Sequence, residues 1–240
     1  TNLKIVNSTI SNIFVKQHLI KQEGYVKAPT FEMANSYLVG NEISQTTGGG
    51  HMIYFRKNID NANPNKFYDV TIEQNKTQYA VFAASTASGT TQVVGHYKFG
   101  GQVIIRNNKN KTGDFALPIH TDENAFSFDS AKPLTTKSEI HIYRKFKDGE
   151  YIVYNSWTPD VHDHTTQQMF KLSTALSAAD LKFNVYRDGN SVRVGKNDIS
   201  NKGYIPVTFK LNNSTDGIVN EDILTLTQYV KSGTYVDEPM

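Results

Sequence analysis

The sequence predicts an all-β, mainly antiparallel protein with a β-sandwich or jelly-roll-like body. Three observations carry that expectation. Several segments alternate apolar and polar residues with a period of two, the signature of half-buried strands. Asp-Gly pairs join Tyr- and Ile-rich runs, and such pairs tolerate the positive φ angles of tight hairpins. Long amphipathic helical stretches, which parallel βαβ units use to return the chain, are missing from the sequence.

Residues 1–47 form the least regular part. Ile10, Ile13, Phe14, Val15, Leu19 and Ile20 are scattered among polar residues. This stretch reads as an irregular N-terminal arm, and Gly48-Gly49-Gly50 as the joint to a single β domain over 48–240. Strands are expected at 51–57, 66–74, 78–84, 92–99, 102–106, 139–146, 151–157, 182–187, 191–194, 205–211 and 223–230. In 66–74 the alternation places Tyr68, Val70 and Ile72 on one face and Asp69, Thr71 and Glu73 on the other. In 205–211 it sets Ile205, Val207, Phe209 and Leu211 against Pro206, Thr208 and Lys210. Pro206 cannot donate to a ladder, which assigns that strand to an edge or a strand start. Lys147-Asp148-Gly149 and Arg187-Asp188-Gly189-Asn190 predict two hairpins. One short helix is expected near 173–181, capped by Ser173. No internal repeat stands out.

Composition narrows the function classes. The chain has 240 residues and no cysteine, which excludes a disulfide scaffold, Cys-ligated zinc, iron–sulfur clusters and a cysteine nucleophile. The net charge is +2, far from the strong basic bias of a nucleic-acid-binding face. Residues 1–120 carry 12 Lys and Arg against 7 Asp and Glu, and residues 121–240 carry 13 against 16. So uneven a split suits contact with another protein. No apolar run approaches the ~20 residues of a membrane span. Tyr and Phe number 13 each against a single Trp, and with abundant Asn and Thr they suit pleated surfaces and many turns. Sequons occur at Asn7, Asn75, Asn110, Asn212 and Asn213.

Candidate chemistry concentrates in one stretch. In an extended strand Asp160, His162 and His164 share a face, where a carboxylate and two imidazoles make a ligand set for a first-row metal. Just before it, Tyr151, Tyr154 and Trp157 offer a stacking surface for a sugar or another partner. Thr47-Gly48-Gly49-Gly50-His51 meets neither the P-loop nor the dinucleotide fingerprint, and no Gly-x-Ser-x-Gly elbow or His-Glu-x-x-His helix is present. The sequence therefore predicts a non-enzymatic structural protein without a cofactor. Its expected place is a virus particle (phage capsid, decoration or tail), assembled from host cytoplasm, with copies of itself or other virion proteins as partners. A secreted adhesin-like, lectin-like or β-rich toxin module, with a host surface glycan as partner, is the alternative. A metal-dependent β-barrel enzyme centred on His162 and His164 comes third.

Overall fold

The computed structural model describes residues 2–24, 30–44, 50–57, 64–85, 97–110, 126–142, 148–153, 169–172, 183–189, 191–196, 199–210 and 225–233. Its main body is a parallel β-solenoid of about three turns. This overturns the antiparallel sandwich or jelly roll. The first coil contains β1 (Leu3–Val6), β2 (Thr9–Ser11), β3 (Phe14–Val15) and β4 (His18–Gly24). The second contains β5 (Phe31–Val39), β6 (Glu42–Ile43) and β7 (His51–Lys57), and the third β8 (Asn65–Glu73) and β9 (Phe82–Ser85). β10 (Tyr97–Arg106), β11 (Phe126–Phe128), β12 (Glu139–Ile142) and β14 (Phe170–Leu172) add further rungs.

Pairing is parallel throughout this body: β1 and β2 on β5, β5 on β8, β8 on β10, β10 on β11 and β12, and β12 on β14. A second face is built from β4, β7 and β9, also parallel. Such pairing needs no crossover helix, because each strand meets its counterpart one whole coil later. The predicted irregular arm is therefore regular: the strands between Leu3 and Ile43 are rungs of the solenoid. The predicted helix near 173–181 lies outside the described residues.

Two columns of left-handed residues shape each coil. Asn7, Asn35, Asp69 and Gly101 have φ of 50°, 47°, 50° and 71°. The bend inverts the inward–outward phase of a strand. Phe67 points inward before Asp69, and Val70 and Ile72 point inward after it, so Tyr68 is turned outward. This is why Tyr68 does not share the face of Val70 and Ile72 that alternation predicts. Asn and Asp reach this region at lower cost than other non-glycine residues. At Gly101 a Cβ would collide with the Asp69 carboxylate.

The second column, Asn12, Gly40, Gln74 and Asn107, has φ of 55°, 68°, 58° and 55°. Each of these is followed by the residue that turns the corner, Ile13, Asn41, Asn75 or Asn108. The three asparagines form a buried row. Asn41 Nδ2 donates to Asn75 Oδ1 at 3.0 Å, and Asn75 Nδ2 donates to Asn108 Oδ1 at 2.9 Å. Each Nδ2 also donates to a main-chain carbonyl one coil back, of Ile10, Leu38 and Ile72 respectively, at 2.8–2.9 Å. The Oδ1 atoms accept the main-chain N–H of Ile13, Asn41 and Asn75. The turn thus satisfies its own buried polar groups, as burial demands. Asn75, a sequon on paper, is wholly buried in this row.

Inside the coils Phe31, Phe67, Phe99, Phe128 and Phe170 follow one another, with ring centroids 5.4, 5.6, 6.2 and 6.1 Å apart. Each buried ring removes enough apolar area to contribute roughly 1.5–3 kcal/mol. Asn65, opposite Tyr97, is a polar residue within this interior. It is fully buried, and among the described residues neither atom of its amide has a hydrogen-bond partner.

The chain ends its described path in antiparallel structure. β13 (Tyr151–Val153), β16 (Ser191–Lys196) and β15 (Phe183–Asp188) form a three-stranded sheet. The predicted hairpin at 187–190 joins β15 to β16. Ile152, Val185, Val192 and Val194 of this sheet belong to the same core as Met169 and Phe170, and the sheet packs on β11 and β14. It closes the core at that end. β17 (Tyr204–Lys210) and β18 (Thr225–Lys231) form a separate hairpin in which Pro206 lies on a strand with one partner among the described residues. A 3-10 turn, Ile199–Lys202, leads into it, and Ile199, Tyr186 and Tyr204 make a small second core.

Candidate functional site

Of the residues singled out from sequence, Tyr151 lies in the described structure, on β13. The Arg193 guanidinium stacks on its ring 3.7 Å from the centroid and also donates to its hydroxyl. Arg193 is held in turn by Asp188 at 2.7 Å and the Gly149 carbonyl at 2.8 Å. One face of the Tyr151 ring is thereby occupied. Tyr154, Trp157, Asp160, His162 and His164 lie outside the described residues. Among the described residues, no group of three or more His, Asp or Glu is arranged to hold a metal ion.

Three surface features remain. The first is a cluster of rings at the start of the second face. Register places His18 against His51. The His18 ring lies parallel to Tyr54, 4.6 Å away and tilted 8°, and Tyr79 approaches His51 at 5.6 Å. His18 Nδ1 donates to the His51 carbonyl at 3.2 Å. Burial lowers the His18 pKa; the bond to His51 opposes that shift, and nearby Lys21 adds to it.

The second feature is a row of charges along the first face. Arg106 joins Glu73 at 3.0 Å and Glu139 at 2.9 Å, and His141 donates to the other oxygen of Glu139 at 2.6 Å. Burial works to raise the Glu139 pKa, but the bonds from His141 and Arg106 outweigh it and hold the carboxyl below its ordinary range. Nearer the middle of β8, Tyr68 donates to Asp129 at 2.6 Å, and Lys132 pairs with Asp69 while lying over the Tyr68 ring. Tyr68 is pushed well up by burial and by Asp129. These carboxylates are engaged by cations or donors, which makes them cross-rung ties.

The third feature is the outer edge of the first coil. Among the described residues β1 and β2 pair with β5 alone, β3 with β6 alone and β4 with β7 alone. Among the described residues no strand is paired to their opposite edges. Leu3 and Asn7 donate inward to Thr30 and Ala34. By the alternation of a parallel ladder, the N–H groups of Lys4 and Val6 therefore face the open side. Val6, Ile13 and Phe14 are exposed here, Phe14 to 68%. At Ile13 the asparagine row stops, because an apolar residue takes the corner that Asn41, Asn75 and Asn108 hold in later coils.

Residue-by-residue reading missed this edge and the row behind it. The available signal was the corner dipeptide, Gly40-Asn41, Gln74-Asn75 and Asn107-Asn108, recurring 34 and 33 residues apart, with Asn12-Ile13 another 28 before. Comparison with family models, with curated proteins and with solved structures finds no match to this chain. No helix among the described residues is long and apolar enough to cross a membrane.

Proposed function

We propose that this chain is a non-enzymatic structural protein of a virus particle, acting by self-association. The observation that supports this reading is the exposed apolar group of Val6, Ile13 and Phe14, three of the six large apolar side chains exposed among the described residues. Exposed apolar patches of this kind mark surfaces of contact with another protein. A solenoid suits the role, since its stacked coils offer a partner an extended surface. The cysteine-free, Asn- and Thr-rich composition fits the same role.

Light scattering on the purified chain tests the reading. The mass should exceed the chain mass of 26.9 kDa, and the protein should be found in purified particles. A strictly monomeric chain with no place in any particle overturns it. Glycan-array binding by such a monomer, lost on Tyr54→Ala, favours instead the secreted binding module, whose support is the ring cluster of His18, His51, Tyr54 and Tyr79.

A further inference from the structure

We infer that Asn75 is an acceptor site whose glycosylation the fold cannot accommodate, and that this chain therefore folds where no N-glycosylating machinery acts: in a cytosol, or in a cell that lacks the reaction. The inference stands apart from self-association. Asn75-Lys76-Thr77 is an acceptor sequence with no proline at its centre. In the fold the same asparagine is wholly buried in the row of corner amides, and Thr77 is 2% exposed. One side chain cannot serve both uses.

In the reaction an oligosaccharide passes from a lipid diphosphate to the asparagine. The bond from sugar C1 to the diphosphate oxygen breaks, a bond from C1 to Nδ2 forms, and Nδ2 gives up one proton. A single N–H then remains on Nδ2. The row uses two, one donating to the Leu38 carbonyl at 2.8 Å and one to Asn108 Oδ1 at 2.9 Å. At least one buried acceptor is stranded. The glycan, a bulky and hydrated substituent, also has no way out, because Asn41 and Asn108 close the row on either side.

Timing favours the transferase. Asn108, which covers Asn75 on one side, follows it by 33 residues. At roughly 5–20 residues per second the acceptor stays open for about 2–7 s after it is made. An enzyme acting on the entering chain meets Asn75 before the row can close over it. Asn7-Ser8-Thr9 makes the contrast: it is also an acceptor sequence, but Asn7 is exposed, so a glycan there meets water.

The test sends the full chain through the secretory pathway of a eukaryotic cell behind an added signal sequence. The other four sequons are silenced by Thr9→Ala, Thr112→Ala, Ser214→Ala and Thr215→Ala. Made in bacterial cytosol, this chain should match the parent in circular dichroism and thermal melting. In the secretory cell, mass spectrometry should find the glycan on Asn75 in chains that are retained. Adding Thr77→Val should raise secretion of folded protein several-fold, as restored stability does for abundance. Valine suits the site, because Thr77 Oγ1 has no hydrogen-bond partner among the described residues, and the main-chain N–H still donates to Lys109. A chain that is mostly secreted and folded without Thr77→Val overturns the inference, whether Asn75 is bare or modified. Retention with Asn75 bare, or retention that Thr77→Val leaves unchanged, overturns it too, because the glycan is then not the cause. Should either altered chain fail to fold in bacteria, the parent chain decides: the glycan must sit on Asn75 in retained molecules and be missing from secreted ones, and any other distribution overturns the inference.

Discussion

Asn75 and Asn65 are both buried amides, and they contrast as clearly as two residues can. Asn75 donates to Leu38 and Asn108 and accepts from Asn41 twice. Asn65 has no partner among the described residues for either atom. An unpaired buried polar group costs about 1–3 kcal/mol, whereas replacing it by an apolar group of similar shape removes that cost. Asn75→Ala should therefore lower stability by roughly 3 kcal/mol or more, because it strands several partners at once. Asn65→Leu should raise the urea midpoint. Equilibrium urea unfolding of the two variants checks both signs, and a destabilised Asn65→Leu would show that its amide is in use. Alternation along the chain could not distinguish these two positions. An asparagine in a turn and an asparagine in a strand start look alike until the neighbouring coil supplies, or withholds, the complementary amide.

Between elements, the rungs are tied by ion pairs and donors whose effect depends on pH. Glu139 and Asp69 are held below their ordinary values of 4.5 and 3.8; in both, burial opposes the shift and the cationic and hydrogen-bonding partners override it. Asp129 is lowered first by the Tyr68 hydroxyl. A depressed carboxyl pKa means that the unfolded chain binds more protons in that range. The stabilisation is thus complete above the ordinary value and lost as pH falls through the folded one. His18, lowered from 6.5 by burial, obeys the same sign: the unfolded imidazole takes its proton first. The urea midpoint should decline in two acid windows, one beginning below about pH 6.5 and one below about pH 4.5. His18→Gln should flatten the upper window and Glu139→Gln should make the lower one shallower. A midpoint independent of pH across both windows would contradict these assignments. The strands carrying Asp69 and Glu139 were expected from sequence, at 66–74 and 139–146, whereas β4, which carries His18, fell in the expected irregular arm. The partners of these strands were not expected, since parallel pairing one coil apart leaves no local turn signal of the kind that announces the β15–β16 hairpin.

Across the whole molecule, stability should follow position in the stack. A solenoid's free energy is close to a sum over coils and the contacts between neighbours. The third coil is covered on both sides, by β5 and by β10, whereas among the described residues β17 and β18 pair only with each other. Hydrogen exchange should be slowest for Val70 and Ile72 in β8. It should be faster in the β17–β18 hairpin, which has no third strand among the described residues. Uniform protection along the chain would mean that it unfolds as one block rather than from its end.

Composition and local pattern by themselves determined that the chain is built of strands, that it needs no disulfide, and that Asp188-Gly189 makes a hairpin. Only the tertiary structure decided that the strands run parallel and stack as coils. The separations of 28, 34 and 33 residues between corner positions are unequal, because the segments linking the strands differ in length, and an unequal repeat hides from a search for a fixed period. Register is chosen where Phe31, Phe67 and Phe99 can stack and Asn41, Asn75 and Asn108 can exchange hydrogen bonds. Both are contacts between coils, and their energy does not exist until the chain has turned once around and met itself.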